Sequence, residues 1–446
     1  MASASRAQFS SKLGFIMAAA GSAVGLGNVW GFPTQAASNG GAVFLFVYLA
    51  MVVVLALPML IAELTIGRYG QANPLRSIAS IWPKSSKIPV AFGLLGLLTA
   101  LMILSFYSII AGWLVGYLVS PILDLIGLHS TAHWLESFST ERNLFLAFVF
   151  IALTMKVVMK GVTDGIERWS SRLMPLLVGL FVIMIFYIMM QDGAIEGLKM
   201  YLVPDFSHFS PDLVIGAMGQ AFFSLSLGVT VMMVYGSYLP KDVNIPKTAA
   251  QVAAIDTGIA FGAGLLILPA MFVAQKHGVQ IYDEAGQLLN SDTLVFTVLP
   301  AMFDSMGTTG IAVSILFFAL MLIAALTSSI SMLEVPVSCA IEELGNKRSL
   351  AVWWIGGLAL ALVTLIVYNF ATLFGFFITV STVYLQPVLG LVWAICAGWV
   401  WNRAKLLEEI RQGNPDIDNS FFWKVWPNYL RYVCPILMGL VFWATI

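Results

Sequence analysis

Oxygen-bearing side chains set inside long apolar runs are the residues of this sequence whose types and spacing could do chemistry. Carboxylates occur at Glu63 in PMLIAELTIGRYG, Asp256 in QVAAIDTGIAFGAG and Glu334 in TSSISMLEVP. Asn28 stands in AAAGSAVGLGNVWGFPTQ, crowded by Gly21, Gly25 and Gly27, while Ser224, Ser226, Gly228 and Thr230 fall together in QAFFSLSLGVTVMMVYGSY. The stretch AALTSSIS adds the hydroxyls of Thr327 and Ser328. These are hard oxygen donors, the kind a dehydrated cation takes, and an ionisable residue at membrane depth is costly enough to mark an ion or substrate path. Asp256, apolar on both sides, invites a cation. Glu63 lies nearer one end of its run and suits bracing an interrupted helix as well as binding an ion; Glu334 reads as structural. Serine and threonine in membrane helices also bond their own backbone, so the hydroxyl cluster means little by itself.

Catalysis finds no such constellation. His129, His133, His208 and His277 all fall in connecting loops, with no HExxH pattern and no Ser-His-Asp set. His129 and His133 have i,i+4 spacing but lack a third ligand. Cys339, Cys396 and Cys434 show no CxxC spacing and read as small core residues. The chain is not expected to be an enzyme. Its net charge of −1, without basic runs, gives no reason to expect nucleic acid or an obligate protein partner.

The elements that must position these residues are membrane helices. Of the 446 residues, 59% are hydrophobic and 10% charged, and mean hydropathy is +0.90, far from the roughly 25% charge of globular chains. Apolar runs long enough to cross about 30 Å of hydrocarbon number eleven, at 11–37, 43–69, 89–123, 143–160, 172–192, 212–238, 248–275, 310–340, 350–369, 372–401 and 428–446. With the N-terminus inside, only Arg142, Lys199 and Lys276 of the 22 basic residues fall outside. That asymmetry sets the orientation in the plasma membrane and puts the C-terminus outside. The whole of 1–446 reads as a single transport domain bathed in lipid. The 276–309 loop keeps an apolar stretch, Thr293–Phe303, that reads as a lid over the outer face.

Glycine costs a helix about 1 kcal/mol against alanine, so three glycines around Asn28 mark a span meant to break. Ser224 to Thr230 echo them in the sixth span. Each interruption opens a set of five spans, about 10–192 and about 211–401, followed by an extra span at 428–446. Paired interruptions at corresponding positions point to an inverted-repeat transporter with discontinuous helices at its site. Unpaired backbone groups in lipid cost several kcal/mol each and are tolerated only where ligand or protein satisfies them. Freed carbonyls suit Na⁺ or an ammonium; half-helix N-termini suit a carboxylate. Close packing of small residues is the competing explanation for such glycines.

The motifs GSAVGLGNVWGFP, NGGAVFLFVY, PMLIAELTIGRYG, GQAFFSLSLG, YGSYL and ALTSSIS, spread over nearly the whole chain, resemble the neurotransmitter:sodium symporters in their bacterial, LeuT-like branch. The resemblance implies an all-α membrane protein with eleven transmembrane helices, a 5+5 inverted repeat, discontinuous spans 1 and 6, and two sodium ions. The first ion would take the Ala23 carbonyl, Asn28, Ser224 and Asp256 with the substrate carboxylate. The family often has asparagine where this chain has Asp256, a charge that could replace the chloride of animal members, so transport is expected to be chloride-independent. The second ion would lie among the Gly21, Val24 and Ala324 carbonyls and the hydroxyls of Thr327 and Ser328. Substrate would place its carboxylate on the amides around Leu26 and Gly27 and on Tyr107, its ammonium on the Ala23, Phe223 and Ser224 carbonyls and Ser226, and its side chain among Val24, Ile103, Phe223, Val229 and Met332.

Monoamine transporters of the family carry aspartate at the position of Gly25, so the resemblance favours an amino acid, medium or large and hydrophobic. The family's outer gate pairs an arginine with an aspartate; here those positions read Gly31 and Ile378. The joint loss implies an apolar gate led by Trp30 with Phe223 and Tyr107, and leaves open a non-α amino acid, a sulfonate or a betaine. Arg6 facing Glu342 would keep the inner gate. A cation channel would need rings of charge, whereas the buried carboxylates are single; a non-transporting sensor would normally carry a soluble output domain.

Overall fold

The computed structural model describes residues 6–82, 87–281 and 294–444, and all regular structure among them is helical. Residues 282–293 of the outer loop, and the last two residues of the final span, lie outside the described residues.

Helix starts follow the local chemistry. Ser11 caps α1 (Lys12–Ala23) by accepting from the Gly14 amide, and Ser210 with Pro211 at the first position starts α7 (Pro211–Ser224), side-chain caps that satisfy otherwise orphan amides. After α1 the chain bends by 54° into α2 (Gly27–Ser38). There follow α3 (Ala42–Gly70), α4 (Ile88–Leu125), α5 (Thr140–Val158), α6 (Val162–Met189), α7, α8 (Val231–Ser237), α9 (Ile245–Lys276), α10 (Thr308–Leu344), α11 (Arg348–Tyr368), α12 (Phe370–Val400) and α13 (Phe421–Trp443).

Each run expected to span falls on one of these helices or on a broken pair. By length and apolarity, seven helices among the described residues can cross a membrane, or eight with α1 and α2 as one bent span. The others fall short for visible reasons: α5 carries Glu141, Arg142 and Lys156, α7 and α8 are short halves, and α13 carries Lys424 and Arg431. Phe186, Trp353, Trp354 and Phe376 stand exposed, an outer surface suited to lipid rather than water.

At the centre, α4 runs its length against α10, and α8 packs on α3. The two interrupted pairs, α1/α2 and α7/α8, meet between them. A short helix, Val295–Ser305, folds back against this core. Its Phe296 ring sits edge-on to Trp30 (5.7 Å) and Trp113 (5.4 Å) and tilted against Tyr117 (5.4 Å). The described part of the apolar stretch, Val295–Ser305, thus packs through Phe296 against Trp30.

Candidate functional site

The first break comprises Val24 to Leu26, where Val24 is extended at φ −69°, ψ 100°. Glycine is required at its edge for closeness. A Cβ on Gly25 would lie 2.6 Å from Ser328 Oγ, and one on Gly27 would lie 2.7 Å from the Phe223 ring. In the second break Ser226, Gly228 and Thr230 take φ of 52°, 82° and 60°, a region uncommon for non-glycine residues and persistent only where surroundings enforce it. Those surroundings are visible. Glu63, fully buried, accepts the Gly228 amide at 2.8 Å, and Gln386 Nε2 donates to the Leu227 carbonyl at 2.8 Å. Glu63 therefore holds an unwound backbone, one of the two roles open to it from sequence.

Around the breaks the predicted ion ligands gather in two groups. Asn28 Nδ2 donates to Asp256 Oδ1 (2.7 Å) and Ser224 Oγ (2.9 Å), Ser224 Oγ donates to Asp256 Oδ2 (2.7 Å), and all three are buried. The Gly25 amide turns to Asn28 Oδ1 at 3.3 Å. Nearby, Ser328 Oγ lies 3.5 Å from the Gly21 carbonyl and 3.1 Å from that of Val24, while Thr327 Oγ1 lies 3.0 Å from the Ala324 carbonyl. The oxygens of Gly21, Val24, Ala324, Thr327 and Ser328 thus form one patch between α1 and α10. The second group is oxygen throughout, the chemistry of a hard cation; the first offers the Asp256 carboxylate and the Ser224 hydroxyl, and Asn28, which here turns Nδ2 to them, would offer its oxygen only after its amide rotates.

Between them lies a cavity of about 30 Å³, room for a water or two. Ala23, Leu26, Gly27, Ile103, Tyr107, Phe223, Ser224, Ser226, Val229 and Met332 line it. Val24 does not: its side chain is buried in the packing and only its carbonyl reaches the Ser328 side. Tyr107 accepts the Leu26 amide at 3.2 Å, and Ser226 donates to the Ser22 carbonyl at 3.1 Å. A molecule of amino-acid size enters only as these walls part.

The gate residues separate differently from expectation. Phe223 and Tyr107 belong to the cavity wall, whereas the Trp30 ring meets Phe296 of the covering helix, a partner 266 positions away that no local pattern announces. Beyond Phe223 a second, outer pocket of about 360 Å³ includes Gln35, Gln220 and Ile378. A Cβ on Gly31 would come no nearer than 3.8 Å to its nearest neighbour, Gln220 Oε1. At the opposite end Arg6 pairs with Glu342, lies 3.0 Å from Ser237 Oγ through Nε, and stacks 4.6 Å over Tyr238. Glu334 pairs with Arg348 and accepts from Tyr238 at 2.6 Å, a structural knot.

Two site residues escaped the sequence reading. Gln386 lines the central cavity and the outer pocket alike, and Gln220 Nε2 donates to the Gly27 carbonyl at 2.9 Å. Both are neutral amides in apolar runs; a search confined to carboxylates passes over them, whereas one for any polar side chain at depth finds them.

Comparison with known proteins places this geometry. The family model described as the sodium:neurotransmitter symporter family matches residues 6–142 and 123–446. The chain is similar to an uncharacterized sodium-dependent transporter, YhdH, of Bacillus subtilis, 36% identical over 98% of this chain and 96% of the other. It is also similar to the sodium-dependent dopamine transporter of Bos taurus, 26% identical over 96% of this chain and 68% of the other. Among solved structures, the crystal structure of MhsT in complex with L-phenylalanine superposes with a TM-score of 0.85 at 34% identity, covering 99% of this chain and 100% of that one. With the family matched along essentially the whole chain, this multi-pass membrane protein belongs to the sodium:neurotransmitter symporter family.

Proposed function

We propose that the chain is a sodium-coupled symporter that imports an amino acid without chloride, through eleven spans arranged as a 5+5 inverted repeat with the N-terminus inside and the C-terminus outside. One observation carries the reading: two unwound stretches, Val24 to Leu26 and Leu225 to Thr230, meet at one cavity beside the buried Asn28, Ser224 and Asp256 cluster. The likeness to MhsT, whose structure holds L-phenylalanine, supports a hydrophobic amino acid, and the names of relatives support sodium as the coupling ion.

In this reading one Na⁺ takes Ala23, Asn28, Ser224 and Asp256, and a second takes the Gly21, Val24, Ala324, Thr327 and Ser328 patch. Substrate lies between, its carboxylate toward the Leu26 and Gly27 amides and Tyr107. Loading closes Trp30 on Phe296, and breaking the Arg6 and Glu342 pair opens the inner end. Each Na⁺ gains about 2.3 kcal/mol from ~100 mV and about 1.4 kcal/mol from a tenfold gradient. Two ions therefore suffice for roughly 10⁵-fold accumulation of a zwitterion.

The test is uptake of labelled amino acids into proteoliposomes. A sodium gradient drives accumulation with gluconate in place of chloride; uptake unchanged when choline replaces sodium would refute the coupling.

A further inference from the structure

Gln386 is buried to 2% exposure, yet its Oε1 has no hydrogen-bond partner among the described residues. The amide orientation is settled by its neighbour. Nε2 donates to the Leu227 carbonyl at 2.8 Å, and a flipped amide would set two carbonyl oxygens against each other. A carbonyl oxygen of a residue that lines the central cavity is therefore buried with nothing donating to it among the described residues. Buried acceptors of this kind are rare and call for an explanation, since leaving one unmade is costly.

Its position says what it faces. Gln386 packs on the unwound stretch that supplies Val229: a Cβ on Gly228 would lie 2.4 Å from the Gln386 carbonyl and 3.1 Å from its Cγ. The Leu26 amide and Tyr107, where the proposed function puts the substrate carboxylate, belong to a different helix pair. Gln386 thus stands toward the side-chain end of the cavity, otherwise formed there by the apolar Ile103, Val229 and Met332. Together with Phe223 it also lines the outer pocket of about 360 Å³, so movement of these two side chains would join the spaces and uncover the oxygen that is buried in the present arrangement.

We infer that Gln386 Oε1 is a specificity-determining acceptor, and that the substrate is an amino acid whose side chain is largely apolar but carries a hydrogen-bond donor, an indole N–H or a hydroxyl. This rests on the amino-acid reading proposed above and narrows it. A site built to pair a donor rejects the analogue lacking it, whereas a purely apolar pocket gains nothing from an added hydroxyl.

The test is sodium-dependent thermal stabilisation and binding of purified protein with matched ligands: L-tyrosine against L-phenylalanine, and L-tryptophan against 1-methyl-L-tryptophan. The expected result is an advantage of about tenfold for the donor in at least one pair, the worth of one net hydrogen bond, and its loss in Gln386→Met, which also frees the Leu227 carbonyl and so weakens L-phenylalanine as well, but by less than it weakens the donor-bearing ligand. Equal affinities within both pairs in the wild-type protein would overturn the role of Gln386 even if the variant failed to fold. A variant that weakened every ligand alike would overturn it too, leaving Gln386 only the task of holding Leu227. Absence of sodium-dependent stabilisation by any amino acid would instead remove the amino-acid reading itself, and this inference with it.

Discussion

Replacing Asp256 with asparagine removes one charge from a buried cluster and leaves its shape nearly intact. Asp256 Oδ1 accepts from Asn28 at 2.7 Å and Oδ2 from Ser224 at 2.7 Å. An amide keeps the first contact through its oxygen. It donates into the second once the Ser224 hydroxyl turns to accept, so the protein should fold. The loss falls on the cation. A Na⁺ about 2.4 Å from a carboxylate oxygen attracts it by about 7 kcal/mol at an effective dielectric constant near 20. Dehydration offsets most of that; a remainder of about 2–3 kcal/mol corresponds to a 30- to 150-fold weaker sodium affinity. In chloride-free proteoliposomes, the sodium concentration for half-maximal uptake by Asp256→Asn should rise by that factor, and added chloride should recover part of it. A sodium dependence identical to wild type without chloride would refute the assignment of Asp256 to an ion site.

Three further perturbations probe the surrounding architecture. Glu63→Ala strips the Gly228 amide of its acceptor and should lower stability by about 1–3 kcal/mol in thermal unfolding, whereas Glu63→Gln, which retains an acceptor, should cost less; equal losses would mean the bracing role is mistaken. Phe296→Ala deletes three ring contacts, each worth about 0.5–1.5 kcal/mol beyond burial. It should bias the protein toward an open outer end, read as faster thiol labelling of an Ile378→Cys reporter over a background of three buried native cysteines; an unchanged rate argues against a covering role. Arg68 and Glu409, 0% and 2% exposed and 2.7 Å apart, fix the helix Arg403–Gln412 to the end of α3, so Glu409→Ala should cost about 3–5 kcal/mol by stranding a buried cation. Arg68→Met with Glu409→Leu together should cost less than the two single changes summed.

What could be read from the chain beforehand was whatever depends on type and local spacing. Glycines beside Asn28, and hydroxyls beside Gly228, violate helix propensity within a few residues of each other, and an apolar run shows its length directly. The expected spans therefore coincide with helices, and the residues resembling family ligands converge. Contacts joining positions far apart in the chain were not legible. The covering helix could be expected to fold back, but that Phe296 and not Phe223 meets Trp30 depends on how α4 presents Trp113 and Tyr117 beneath it. Glu63 showed two possible roles, and only the approach of Gly228 across 165 positions chose between them. Gln386 illustrates the limit most sharply. Its polarity at depth was visible, but the significance of its oxygen arises because its nitrogen is already committed to Leu227, 159 positions away. An uncommitted acceptor is a property of the packed site, and that is why the preference proposed for a donor-bearing side chain has no signature in the chain itself.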